Sequence, residues 1–287
     1  MAAQPESGGA FSRPVAAGLH ARGFAGVAGG CAALPGLGAR LSETRWPRPP
    51  ETRIGGKLHR IISTRYPPID IFERHVPAEM LGALWALEAR TNPRLREQAG
   101  DLNRVAPRDR LSGPGASIVM AAFTHVGWPS RFSDGGYGVY YAARARETAI
   151  RETVHHRELI ARDAALSEAE FSMRVWLASP RKPLLDIRGA EWVDLHDDAP
   201  RPEDHHQAQA FGAVQRDAGA WGLCYNSVRH AGGECVAIFR PPALSLPVQG
   251  AHLVYVWDGR RITHVYEKSE PLLRFDDSDP ARDDQRR

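Results

Sequence analysis

The chain has 287 residues, 43% hydrophobic and 25% charged, which is the ordinary balance of a globular protein that is large enough for a real core. No run of about 18 apolar residues occurs, and three scattered cysteines exclude a disulfide framework or a CxxC zinc site. The net charge of +3 is carried by residues 1–50, so the remainder offers no basic face for nucleic acid. These features predict a cytoplasmic protein that does not bind DNA by itself.

Composition divides the chain into three parts. Residues 1–55 are rich in Ala, Gly and Pro and bury too little apolar surface to offset chain entropy, which predicts a disordered leader. Residues 56–270 carry the periodic patterns of a folded domain, and residues 271–287 form a charged tail that we expect to be flexible. Within the domain, the polar segment 88–117 is expected to be an insertion or a lid.

Hydrophobic periodicity predicts strands and helices in an irregular order. In chain order they are a strand at 58–62, a helix at 77–90, strands at 117–124 and 138–142, a helix at 144–161, strands at 171–177 and 184–187, a helix at 203–218, and strands at 235–239, 253–257 and 262–266. Because no β-α-β alternation is present, the pattern favours an α+β fold with a mixed or antiparallel sheet and flanking helices.

The segment 131–152 combines a glycine-rich turn, a short aromatic strand and a helix. Gly135, Gly136 and Gly138 allow a sharp turn or a close approach to a ligand, but they match neither GxGxxG nor a phosphate-binding loop. Glu152 lies at the edge of the apolar stripe of the helix, a position that suits a carboxylate facing a cleft. The simpler alternative is a surface Glu whose stem lies on apolar neighbours.

A second segment, 221–239, places polar side chains directly before a buried strand. Polar groups between apolar runs need partners, which are either one another or a ligand. The alternative is a hydrogen-bonded turn closed by Gly232 and Gly233. The residues concerned are Tyr225, Asn226, Ser227, Arg229 and His230.

Two further features bear on ligand binding. Arg60, at the centre of the first predicted strand, is either an exposed edge residue or a bidentate grip for a pyrophosphate. The adjacent histidines at 155–156 and 205–206 point about 100° apart on a helix and cannot share one ion well, so no metal site is predicted.

Taken together, these segments resemble the RES domain family, named for an Arg, a Glu and a Ser. The Arg matches Arg60, the Glu matches Glu152 after the run Tyr140-Tyr141-Ala142, and the Ser matches Ser227 in the run YNSVR. A second family Arg matches Arg131. The resemblance spans roughly residues 56–266 and departs from the family at Asn226 and in the leader.

The resemblance implies an ADP-ribosyltransferase-like fold and a toxin of a RES–Xre toxin–antitoxin pair. Such a toxin cleaves the nicotinamide–ribose bond of NAD⁺ by hydrolysis or phosphorolysis. NAD⁺ is then a substrate, phosphate is a candidate co-substrate, and no metal or other cofactor is expected. The implied partner is an Xre-type helix-turn-helix antitoxin, which would be the only link to DNA. Two alternatives stay open: an ADP-ribosyltransferase that modifies a host protein, and a catalytically silent module that only binds an antitoxin.

The resemblance also implies roles for six side chains. The expected catalytic residues are Glu152, Arg60 and Ser227, and the expected substrate-binding residues are Arg131, Tyr140 and Arg229. A carboxylate at Glu152 would stabilise positive charge on the ribose, and guanidinium groups would hold the phosphates. Tyr140 would stack on nicotinamide. The hypothesis requires Arg60, Tyr140, Glu152 and Ser227 to line one pocket.

Overall fold

The computed structural model describes residues 46–66, 68–91 and 98–268, with the backbone alone for 89–91. The predictions for residues 1–45 and for the tail 271–287 lie outside the described residues. Ordered structure begins before residue 56, since Trp46 packs edge-on against Phe211 with ring centroids 5.8 Å apart. Of the helices in the described part, none is both long enough and apolar enough to cross a bilayer.

The described strands form one nine-stranded sheet in the order β1-β5-β6-β7-β3-β2-β4-β8-β9. Every neighbouring pair is antiparallel except β5 and β6, which are parallel. The strands are β1 (Glu51–Thr52), β2 (Leu58–Ser63), β3 (Tyr140–Ala143), β4 (Ala169–Ala178), β5 (Leu184–Asp186), β6 (Gly222–Asn226), β7 (Glu234–Ile238), β8 (Val248–Trp257) and β9 (Ile262–Glu267).

Helices cover both faces of this sheet. They are α1 (Asp70–Glu73), α2 (Ala78–Thr91), α3 (Ala116–Thr124), α4 (Arg146–Asp163) and α5 (His206–Asp217). One core lies between α1–α3 and the first face, and a second core lies between α4, α5 and the other face. Successive side chains of a strand alternate between the two cores, so Tyr140 faces α1–α3 whereas Tyr141 faces α4 and α5.

The α+β class predicted from the sequence is confirmed, and most predicted elements occur within a few residues of their expected bounds. The prediction of a strand at 117–124 is wrong, because this run forms helix α3. Nearly all of its residues are buried, so no apolar stripe marks a helical period. Its start is fixed by the distant Glu73, whose carboxylate accepts hydrogen bonds from the N–H groups of Gly115 (2.6 Å) and Ser117 (3.0 Å).

Residues 98–117 of the polar segment pack into the fold rather than covering it as a lid. Leu102 and Val105 are buried in the core under α1–α3. Asp109 forms a two-pronged ion pair with Arg240, with both N–O distances at 2.8 Å. This segment therefore ties the α1–α3 layer to the residues that follow β7.

Candidate active site

The centre of the site is a contact between Glu152 on α4 and Ser227 at the end of β6. The Ser227 hydroxyl donates to Glu152 Oε1 at 2.6 Å, across 75 residues of sequence. Ser227 is 8% exposed and Glu152 is half-buried. The helix edge that the sequence pattern assigned to Glu152 thus faces the end of a central strand.

The chain after β6 holds the Ser227 hydroxyl in place. The Ser227 N–H donates to Gly233 O at 2.8 Å, which closes a turn between β6 and β7. Its Oγ accepts from the backbone N–H groups of Arg229 (3.2 Å) and His230 (3.0 Å). With two donors already bound to the oxygen, its own proton is directed to Glu152. The segment is therefore a hydrogen-bonded turn, as one of the two interpretations has it, and the same turn presents a hydroxyl to the Glu152 carboxylate.

Buried groups of β6 and β7 form the floor beneath Glu152. Tyr225 packs edge-on against Phe132 at 5.1 Å, and Cys235 Sγ lies 3.8 Å from Glu152 Oε1. Burial raises the pKa of the Cys235 thiol, and the Glu152 carboxylate raises it further. Burial likewise raises the pKa of Tyr225 well above its ordinary value. Both groups therefore stay neutral.

Arg131 reaches the same face of the sheet and is held by its neighbours. The Tyr141 hydroxyl donates to Ser130 Oγ at 2.9 Å and accepts from the Phe132 N–H at 3.0 Å. The Tyr141 hydroxyl therefore holds the residues on both sides of Arg131 by hydrogen bonds. The glycine-rich turn, with Gly135 at φ of +99°, follows directly in the chain.

A loop at 195–199 connects the two predicted substrate-binding arginines of this face. Arg131 Nη1 donates to the carbonyl oxygens of Leu195 (3.4 Å) and Asp197 (2.8 Å). Arg229 Nη2 donates to Ala199 O at 3.2 Å. The loop itself is anchored by the buried His205, whose Nδ1 lies 2.5 Å from Asp197 Oδ1.

Two histidines beside this loop are held neutral. Burial lowers the pKa of His205, and the charge of Arg131 lowers it further despite the nearby Asp197. Burial is also the main cause of the lowered pKa of His196. His196 uses both ring nitrogens, with Nδ1 3.0 Å from Trp192 O and Nε2 3.3 Å from the Asn226 N–H, which fits a neutral ring.

Arg60 and Tyr140 do not join this site. The Arg60 guanidinium lies 4.4 Å over the Tyr140 ring, in the core under α1–α3, and Nη1 donates to Tyr141 O at 2.9 Å. Tyr140 is 0% exposed, and its hydroxyl has no hydrogen-bond partner among the described residues. The expectation of one pocket lined by Arg60, Tyr140, Glu152 and Ser227 is therefore wrong, because strand alternation directs the first two side chains through the opposite face.

Four groups of the site were missed in the sequence analysis: Tyr141, His196, Asp197 and His205. Tyr141 carried a usable signal, since alternation along 140–143 puts only one of two adjacent tyrosines on the side of the following helix. The other three belong to a loop and a helix start whose approach to Arg131 depends on tertiary packing. Neither of two surface cavities, of about 420 and 380 Å³, includes Glu152 or Ser227.

The sheet and this cluster define the class of protein: an α+β domain with a hydroxyl-bound carboxylate and two arginines on one face of its sheet. Residues 102–258, more than half of the chain, match the family model of the RES domain. The chain belongs to the RES domain family. The matched region contains Arg131, Glu152, Ser227 and Arg229, whereas Arg60 lies before it.

Two individual proteins show further similarity. An uncharacterised protein of Sinorhizobium fredii, y4oC, is 26% identical over 217 residues, which cover 75% of this chain and 89% of that protein. The crystal structure of the M. tuberculosis MbcT–MbcA toxin–antitoxin complex overlaps 70% of this chain and 86% of its own chain, with a TM-score of 0.37 and 10% identity. That score is too low to map its site onto this one.

Proposed function

We propose that this protein cleaves NAD⁺ at the nicotinamide–ribose bond, and that it is the toxin of a toxin–antitoxin pair held inactive by a cognate antitoxin. Membership of the RES family supports the class. The observation that carries the activity is the Ser227–Glu152 contact of 2.6 Å, with Arg131 and Arg229 tied to the loop beside it. One carboxylate and two guanidinium groups thus lie on one face of the sheet, an arrangement that suits a glycosidic substrate bearing phosphates.

The chemistry assigns a separate task to each group. Loss of nicotinamide leaves positive charge on the ribose, in an oxocarbenium-like transition state. A fixed carboxylate at Glu152 stabilises that charge, and Ser227 keeps the carboxylate oriented. Both hydrogen bonds of Arg131 to described residues leave from Nη1, so its Nε and Nη2 groups remain for a phosphate oxygen.

The acceptor of the ribosyl group is water or phosphate in this proposal. Arg229 lies in the turn that carries Ser227 and is the cation best placed to neutralise a phosphate nucleophile. Neither acceptor needs a metal, since the leaving nicotinamide departs as a neutral base.

The direct test is NAD⁺ consumption by the purified full chain, with nicotinamide release measured by chromatography. Glu152→Gln keeps the shape and removes the charge, and we expect the rate to fall about 100- to 1,000-fold with little change in KM. The matched control is Asp163→Asn on the same helix, since Asp163 is exposed and pairs with Arg201 at 3.2 Å. Equal activity in wild type and Glu152→Gln would contradict the proposal.

Two further measurements separate the alternatives. Omitting phosphate distinguishes phosphorolysis from hydrolysis, and mass spectrometry of cell proteins detects ADP-ribose if the acceptor is a host protein. A silent antitoxin-binding module would leave NAD⁺ and growth unaffected on expression. Co-expression with a helix-turn-helix protein encoded next to this gene tests the antitoxin, which should restore both growth and NAD⁺.

A further inference from the structure

Four arginines surround a surface cavity of about 420 Å³ that is separate from the Glu152 site. The cavity lies where β3 begins and β7 ends, beside Gly138 and Phe239. Cys235, which contacts Glu152, lies at the opposite end of β7, four residues or about 13 Å away along the strand. We call this feature the arginine cavity, after Arg104, Arg108, Arg216 and Arg240.

The lining of the arginine cavity has more positive than negative charge. Two carboxylates, Asp109 and Asp217, line it together with the four arginines. Asp109 is taken up by the two-pronged pair with Arg240, and Asp217 lies 3.0 Å from Arg216. Two guanidinium groups have no carboxylate within the lining, and one of these two pairs with Asp101 just outside it.

The remaining two cations come from the polar segment 98–117. Arg104 is half-exposed and pairs with Asp101 outside the cavity at 3.4 Å, and its Nη1 donates to Gly136 O at 3.3 Å. Arg108 is exposed and has no hydrogen bond or ion pair to any residue that the structure describes. A cation left free at the mouth of a cavity that already holds other guanidinium groups is repelled by them and is stabilised by a bound anion.

Aromatic rings hold the other two guanidinium groups in place. The Arg216 guanidinium lies 4.5 Å from the centroid of the Tyr137 ring, and that of Arg240 lies 4.0 Å from the centroid of the Trp221 ring. Stacking of this kind fixes a planar guanidinium while leaving N–H groups at its rim. Ordering these side chains in advance lowers the entropy cost of binding.

We propose that the arginine cavity binds a phosphate group, as free phosphate or as a small phosphate monoester. Phosphate is a tetrahedral ion with up to two negative charges, so it can accept from several guanidinium groups at once, which a single carboxylate cannot do as well. The volume falls in the range of small-molecule sites and exceeds what one ion needs, which leaves room for an ester group. This proposal does not depend on the reaction proposed for Glu152.

The test is isothermal titration of the full chain with sodium phosphate at constant ionic strength. We expect one binding event that weakens at least tenfold in Arg108→Gln and in Arg216→Gln. Arg260→Gln, an exposed arginine on the β8–β9 turn, is the matched control and should bind as wild type does. Urea unfolding of each variant verifies that the fold is retained.

Arg229→Gln distinguishes this cavity from the Glu152 site. Phosphate binding that survives Arg229→Gln and is lost in Arg108→Gln supports the proposal. Absence of binding to wild type, or binding lost only in Arg229→Gln, overturns it. Titration with glycerol 3-phosphate then separates the two sources, because tighter binding than phosphate assigns the cavity to a monoester and weaker binding assigns it to the free ion.

Discussion

Removal of the Ser227 hydroxyl is the sharpest test of the site. Ser227→Ala deletes a donor to the Glu152 carboxylate and an acceptor for the N–H groups of Arg229 and His230. A hydrogen bond to a charged group contributes about 1.5–3 kcal/mol, and each neutral one contributes about 1 kcal/mol. Glu152 and His230 are only half-buried, so water replaces part of what is lost. We expect the free energy of unfolding to fall by about 2–3 kcal/mol.

A double-mutant cycle isolates the Ser227–Glu152 contact from the other bonds. Glu152→Gln retains an acceptor but makes the bond neutral, which should cost about 1 kcal/mol. In the Ser227→Ala background that cost disappears, so the coupling free energy should be about 1 kcal/mol.

The assay for the cycle is urea unfolding followed by tryptophan fluorescence, with an unchanged m-value as the sign that both states are preserved. Asp163→Asn, at the far end of the same helix, serves as the uncoupled control. Additive effects of Ser227→Ala and Glu152→Gln, within about 0.4 kcal/mol, would refute the contact as described.

Three further perturbations probe the surroundings of the site. Tyr141→Phe removes the hydroxyl that holds the residues on both sides of Arg131, so the free energy of unfolding should fall by about 1–2 kcal/mol and the KM for NAD⁺ should rise about tenfold in steady-state kinetics. An unchanged KM would contradict the role of this phenol. His205→Asn removes a group whose pKa is lowered in the native state. Between its ordinary pKa and the lower native value the unfolded chain binds more protons, so wild-type stability falls as pH drops below about 6.5, by at most about 1.4 kcal/mol per pH unit from this group. Urea titrations at several pH values should show a smaller fall in the free energy of unfolding for the variant. Parallel pH profiles for variant and wild type would contradict the role of His205. Gly138→Ala places a Cβ 2.1 Å from Ala122 O and should lower stability by about 3 kcal/mol or more, whereas Gly232→Ala, where nothing lies within 4 Å, should cost only about 1 kcal/mol for its φ of +74°.

The α+β class could be predicted from local patterns, which also marked Glu152 and Ser227, but only the RES resemblance put these two residues in one site. The stripe of α4 put Glu152 at a core edge, and the polar run before β7 singled out Ser227. Arg131 and Arg229 were likewise marked by motifs next to these elements. Each of these signals requires only a few neighbouring residues.

The failures arose where distant parts of the chain decide the structure. Helix α3 is capped by Glu73, which is 42 residues away from Gly115, and no window of sequence shows that contact. Arg60 matched the family Arg by type and by its place in a strand, but the face to which it points is set by the register of β2 against β4, where it pairs with Trp176. Loop 195–199 became part of the site only through its hydrogen bonds to Arg131 and Arg229.

Because two arginines are hydrogen-bonded to one short stretch of backbone, the positions of their guanidinium groups depend on each other. Arg131 and Arg229 are almost a hundred residues apart, yet both donate to carbonyl oxygens between residues 195 and 199. A protein that pulled this stretch outward would detach both cations with a single movement, without touching Glu152. Such a movement would leave the Ser227–Glu152 contact uncovered, and releasing the stretch would return both arginines to their positions together.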